Sequence, residues 1–337
     1  MKKRLLRRRI YTIMTINIFL AIILTFYSCY YNRNENDIKN NDKINGNEVI
    51  SGNEAEQPLP TLSIISNGIH KEEQPYEKEE QLPEKILAEE LTESEELALY
   101  SGLPYFKEEY IDKYIDYKKQ NPDLSYEKAI TYVNIGLNYD FYESISNIGN
   151  GHDITVLVNK YNKLPDDFVP ELVQIDSSMC AQGRGEQHLQ KPALEAFSKM
   201  YDDGKQLGLD IRAYGTYRSI PTQHWIWNNA VDSGRTIEDV DGLNARGGHS
   251  EHHTGLAVDV VINDYDVEQT EEWLWYRENA HKYGFIIRYP KGKEHITGYK
   301  YEPWHLRYLG IEIASDIYER DITYEEYFVQ VLQPPIQ

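Results

Sequence analysis

The spacing of apolar and polar residues changes several times along the chain, and the changes divide it into parts. From Ile10 to about Tyr31 the residues are apolar, broken only by Asn17 and a few Thr and Ser. A run of about 20 such residues rises about 30 Å as a helix, the thickness of a bilayer's hydrocarbon core. From Asn32 to about Leu91 the pattern disappears, and Asn, Glu, Gln and Pro dominate without a sustained period. Such a stretch buries too little apolar surface to offset the entropy of ordering it, so a disordered linker is expected. Helical spacing begins after it. Tyr110, Ile111, Tyr114, Ile115 and Tyr117 mark a helix over Glu108–Lys119, and Ser125 is placed to cap a second one running to about Leu137. Aromatic stripes at this spacing are packing faces more often than glycan platforms.

Further on, short alternating runs mix with helices. Ile154–Val158 reads as a strand, followed by a Pro-bearing loop from Leu164 to Pro170. Lys191–Gln206 carries Leu194, Phe197 and Met200 along one side of a helix, and Leu209–Tyr217 alternates as a strand. Thr270–Tyr283 is a helix with a Thr cap, Glu271 and Glu272 at its positive end, His281 and Lys282 at its negative end, and Gly284 as its stop. On that pattern His281 is a helix-end side chain rather than a ligand. Phe285–Tyr289 is a strand, and helical segments after Gly310 close the chain. The strands lack a regular βαβ rhythm, so the fold class expected is α+β.

Charge narrows the partners. The chain has 35 Lys and Arg against 55 Asp and Glu, a net charge of −20, which repels nucleic acid. Over residues 31–100 there are 17 acidic against 6 basic side chains, which would keep the linker extended. Lys2, Lys3, Arg4 and Arg7–Arg9 precede the apolar run, so its N-terminal side is expected to stay in the cytoplasm and the remainder to lie outside. Two fates are open for that run: a retained transmembrane anchor, or a signal cut before Cys29 with lipid on that residue. With only Cys29 and Cys180, no disulfide framework is possible, and Cys180 reads as a lone packed thiol. The expected organisation is therefore an anchor or lipoprotein signal over 1–31, an acidic linker over 32–91, a small helical preface with a strand over 92–175, and a catalytic domain over 176–337. A monomer is expected.

The chemistry concentrates in two segments. From Gly255 onward, Leu256, Val258, Val260 and Ile262 point to one face of a strand, and Gly255, Ala257 and Asp259 to the other. Asp259 thus has cleared space before it, and His252, in the turn leading in, can swing over the same face. Imidazole and carboxylate suit zinc, which in catalytic sites takes three protein ligands and keeps one position open. A third ligand is available in Glu302-Pro-Trp-His305, where one side chain can bind metal while the other acts as base. On a regular strand these two would face opposite ways, so a bend at Pro303 is required. Taken singly, His305 reads as a core histidine and Glu302 as a surface charge.

Together, Ser250-x-His252-x-x-Gly255-x-Ala257-x-Asp259 and Glu302-x-Trp304-His305 resemble the zinc site of the VanY-type D-alanyl-D-alanine carboxypeptidases, a group that shares its fold with the hedgehog signalling domain. The resemblance spans about Leu189 to Tyr327, and Tyr217–Gln223 and Glu278–Pro290 match further family stretches. It implies a small central antiparallel sheet flanked by helices, with zinc held by His252, Asp259 and His305 and with Glu302 as base. It further implies that Arg218 stabilises the oxyanion and that Gln223 and Ser250 hold the peptide end. The implied substrate is a peptidoglycan stem peptide losing a terminal D-alanine, by D,D- or L,D-specificity. A peptidoglycan endopeptidase and a non-catalytic zinc-stabilised wall-binding module are the alternatives. Two departures from the family pattern are His253, in place of the usual Gln, and Thr216, in place of a small residue; the latter is expected to narrow the pocket.

Overall fold

The computed structural model describes residues 91–333. The expected membrane segment and the linker up to residue 90 lie outside the described residues, among which no helix is long and apolar enough to cross a membrane. The described residues fall into two units, the first ending at Gly102 and the second beginning at Leu103. Of the first, the described part contains one short helix, Glu93–Ala98, opened by Glu95 accepting from the Thr92 backbone N–H.

The second unit is built on a four-stranded antiparallel sheet. Two two-stranded sheets precede it in the chain: β1 (Ser146–Asn147) pairs with β2 (Asn162–Lys163), and β3 (Val173–Gln174) with β4 (His188–Leu189). The main sheet has the order β5-β6-β8-β7, from β5 (Ala213–Gly215), β6 (Ala257–Val260), β7 (Phe285–Tyr289) and β8 (Glu302–Tyr308). The alternation of β6 holds through Val260: Leu256, Val258 and Val260 are fully buried in the main core with Phe197, Met200, Tyr276 and Leu306, whereas Ile262, expected on the same face, is exposed because the strand ends at Val260 and Val261 turns the chain at φ 65°. Full burial of each such aliphatic or aromatic side chain contributes about 1.5–3 kcal/mol.

The helices begin and end where local chemistry directs. The Ser125 hydroxyl accepts from the Lys128 N–H to open Tyr126–Ile135, and Gly136, at φ 108°, ends it where a side chain would be strained. Lys191–Gln206 starts with Pro192 in its first turn and buries Ala193, Phe197 and Met200. Thr270 caps Glu271–Asn279, a 3₁₀ turn over Ala280–Tyr283 follows, and Gly284 terminates both. Of the expected tyrosine stripe, Tyr114 is buried, with its hydroxyl donating to Asn134 Oδ1, while Tyr110 and Tyr117 are half-buried; Tyr126 and Tyr132 of the next helix are buried.

Two strands differ from the sequence pattern. Ile154–Val158 is a turn and extended loop, not a strand. The Asp153 carboxylate accepts from the Thr155 N–H and hydroxyl, which curls the chain, and Arg307 donates to the carbonyls of Ile154 and Val156. A guanidinium thus occupies the acceptors a neighbouring strand would have used. Leu209–Tyr217 keeps its alternating burial, but only Ala213–Gly215 pairs in the sheet.

Candidate metal centre and its cleft

Asp259 lies near the end of β6, paired on one side with His305 of β8 and on the other with Gly215 of β5. That register places a carboxylate and an imidazole side by side on the face cleared by Ala257. Asp259 Oδ1 is 3.1 Å from His305 Nδ1, and Asp259 Oδ2 is 3.5 Å from His252 Nε2. The imidazoles of His252 and His305 stand edge to face with centroids 4.8 Å apart. One donor atom from each of the three residues lies within 4.8 Å of the others, and all three side chains are buried.

The bend required at Pro303 is present as a bulge. Partners on β7 and β8 run from Ile287–Leu306 to Tyr289–Glu302, so β8 carries two more residues than β7 across this stretch. The Tyr276 hydroxyl donates to the Pro303 carbonyl and fixes the distortion. Its effect is that Glu302 and His305 turn to the same side, with Glu302 Oε2 3.8 Å from His305 Nδ1.

His252 is oriented from behind: its Nδ1 is 2.7 Å from the Thr216 carbonyl, which takes the ring proton and leaves Nε2 bare toward Asp259. The Thr216 hydroxyl bonds to the His188 N–H and Gln187 side chain, and Thr216 is absent from the cleft wall, so it does not narrow the pocket. His253 turns away from the donors. Its Nε2 accepts from the Gly248 N–H, and its Nδ1 is 2.7 Å from the Arg218 carbonyl, so this departure from the family pattern steadies the segment carrying Arg218. His249 also points away, with Nδ1 on the Asn159 carbonyl. His281 stacks on Tyr318 with ring centroids 3.9 Å apart and does not line the cleft, and Cys180 is a buried free thiol whose pKa burial raises.

Arg218, Ser250, His252, Asp259, Glu302 and His305 line one cleft of about 330 Å³. Gln223 does not line it. Its Oε1 accepts from Arg218 Nη1 at 2.8 Å and its Nε2 donates to the Ala245 carbonyl at 2.6 Å, so it braces the guanidinium. Ser250 caps the turn carrying His252 through its Oγ. Two further side chains act here without any prior signal in the sequence: Asn263 donates to Asp259 Oδ2 at 3.2 Å, and Glu251 approaches His305 Nε2 at 3.6 Å.

The charges sort the groups. Burial raises Glu302 to about 8 against the pull of His305, with Asp259 adding to the rise and Arg218 opposing it. Burial disfavours the His305 cation, yet the neighbouring Asp259 and Glu251 carboxylates outweigh it and raise His305 to about 9. Burial lowers His252, against the attraction of Asp259, which suits a neutral imidazole ligand. Burial would raise Asp259, but His252 and His305 hold it well below the usual carboxylate range.

Two imidazoles and a carboxylate facing one point, with an acid poised near neutral pH and a guanidinium in the same cleft, are the equipment of a metal-assisted hydrolase. The chain belongs to the VanY family of D-alanyl-D-alanine carboxypeptidases, and so to a class of peptidases acting on peptidoglycan precursors; the family's model matches residues 186–311. Similar over 220 residues, at 39% identity, is YodJ of Bacillus subtilis (strain 168), named as a carboxypeptidase; the match covers 63% of this chain and 78% of that one. A D-alanyl-D-alanine carboxypeptidase of Enterococcus faecalis (strain ATCC 700802 / V583) is 32% identical over 180 residues, 51% of this chain and 64% of the relative. Among solved structures, the LdcB LD-carboxypeptidase superposes with a TM-score of 0.53 at 38% identity, covering 56% of this chain and 92% of that one.

Proposed function

We propose that this chain is a zinc carboxypeptidase that removes the C-terminal D-amino acid from peptidoglycan stem peptides on the outer side of a bacterial membrane, tethered by its N-terminal segment. One observation carries the reading: the donors of His252, Asp259 and His305 converge in the cleft that also holds Glu302 and Arg218. The donor set fits zinc, since two imidazoles and one carboxylate are borderline-hard ligands, and three protein ligands leave a position open. Zinc bound there would acidify water and polarise the scissile carbonyl.

The chain's own residues do the rest. Glu302, on the cleft wall and 3.8 Å from His305 Nδ1, is placed to take a proton from the attacking water and return it to the leaving amine. Arg218, braced by Gln223, brings a fixed cation to the carbonyl oxygen as it gains negative charge; one such donor is worth about 3 kcal/mol. Ser250, on the cleft wall, is assigned to the peptide's carboxyl end. Gln223 acts through Arg218 rather than on the peptide.

The test is incubation with defined stem peptides ending in D-Ala-D-Ala or in a single D-Ala, followed by mass spectrometry. Loss of one alanine from the pentapeptide supports the D,D-reading. Loss from the tetrapeptide supports the L,D-reading, which the likeness to the LdcB LD-carboxypeptidase favours as second choice. Internal fragments would replace the carboxypeptidase with an endopeptidase, and binding without any cleavage would leave a wall-binding module.

A further inference from the structure

Glu251 lies between Ser250 and His252 in the turn that enters β6, and its carboxylate is completely buried. One oxygen, Oε1, accepts from Arg288 Nε and Arg307 Nη1, both at 2.8 Å. The other, Oε2, has no hydrogen-bond partner, and neither does His305 Nε2, which faces it at 3.6 Å. An orphaned buried carboxylate oxygen opposite an orphaned buried ring nitrogen is an unfinished hydrogen bond, because leaving either group unpaired costs about 1–3 kcal/mol. A shift of about half an ångström brings the pair within bonding distance.

We infer that Glu251 is a positioning residue for His305: it takes the Nε2 proton of that imidazole and thereby leaves the Nδ1 lone pair facing Asp259, Glu302 and a bound metal. This rests on the metal reading proposed above. The opposite nitrogen of His305 is the one directed at the other donors, 3.1 Å from Asp259 Oδ1. A carboxylate behind a ligand imidazole fixes its tautomer and makes it a stronger donor.

The carboxylate is itself held. Arg288 forks onto Glu325 at 2.6 and 2.9 Å, and Arg307 ties to the carbonyls of Ile154 and Val156. Oε2 is therefore aimed by a frame reaching to the helix Tyr324–Tyr327 near the C-terminus. The alternative is that Glu251 only neutralises two buried arginines, in which case the imidazole would be indifferent to it.

The test is nitrogen-15 NMR of the full-length chain, labelled at histidine, with and without one equivalent of zinc. The expected spectrum has, for the zinc-loaded chain, His305 protonated at Nε2 with slow solvent exchange and with Nδ1 shifted by the metal. Glu251→Gln is expected to displace that N–H signal and to weaken zinc binding about 10- to 100-fold. If Glu251→Gln does not fold, the wild-type spectrum decides alone. A proton on His305 Nδ1 with zinc bound, a freely exchanging Nε2–H, or unchanged zinc affinity and signal in folded Glu251→Gln would each overturn the inference while the metal reading stands. Zinc that moves no histidine signal would overturn both.

Discussion

His305 sits between two acids, Asp259 at its Nδ1 and Glu251 at its Nε2, and their combined field raises it to about 9. Without metal it therefore holds a second proton at neutral pH, and a metal at Nδ1 must displace that proton. The sign follows: zinc uptake at pH 7 releases at least about one proton, affinity climbs with pH, and the climb ends above about pH 9. Calorimetry in buffers of different ionisation enthalpy measures the release, and a buffer-independent heat at pH 7 would refute it. Glu302→Gln keeps the shape of the side chain and removes the base; turnover is expected to drop about 10²- to 10⁴-fold with zinc stoichiometry unchanged, as read by peptide assay and metal analysis. At this scale much was legible. His252 and Asp259 meet because strand alternation and a preceding turn put them on one face, a rule that needs no tertiary knowledge. Asn263 and Glu251 were hidden, because their contacts depend on how distant strands pack, and neither residue type signals such a role by its neighbours.

The elements hold these side chains at fixed separations. Gly215 of β5 faces Asp259 so closely that a Cβ there would come within 2.8 Å of Oδ2. Its backbone is not in the left-handed region, so Gly215→Ala can fold; the added methyl displaces the carboxylate. We expect about 10- to 100-fold weaker zinc binding with an unchanged circular dichroism spectrum, and wild-type affinity in this variant would show that β5 leaves Asp259 free to adjust. The helices were readable from caps and stops, as with Ser125 and Gly136, because those signals are local. The bulge at Pro303 could be stated as a requirement from the Glu302–His305 spacing, but its form depends on the pairing of β7 with β8. Ile154–Val158 misled for the converse reason: a β-branched run was met by the Arg307 guanidinium instead of a strand.

Across the whole second unit, a buried chain of charges, Glu325–Arg288–Glu251–Arg307, joins the C-terminal helix to the metal-site turn and the loop at Ile154. Glu325→Ala would strip Arg288 of two bonds inside the core, and we expect a loss of about 3–5 kcal/mol in urea unfolding. The network also sets the acid limit. Burial would raise Glu251, but Arg288 and Arg307 hold it well below its unfolded value of about 4.3. Its contribution is complete above that pH and is lost as pH falls further toward the folded value. At this scale the missing βαβ rhythm pointed to the α+β class and the family resemblance to the antiparallel sheet, whereas the charge network, assembled from residues up to 74 positions apart and tied to the Ile154 carbonyl 153 positions from Arg307, had no local trace.

The most direct measurement joins metal content to turnover in one preparation. The chain is stripped with a chelator, dialysed and refilled with zinc, while the release of D-alanine from a stem peptide and the zinc per chain are followed together. We predict that activity vanishes with the metal and returns as zinc approaches one per chain. Full activity in the stripped protein would contradict a hydrolase centred on His252, Asp259 and His305.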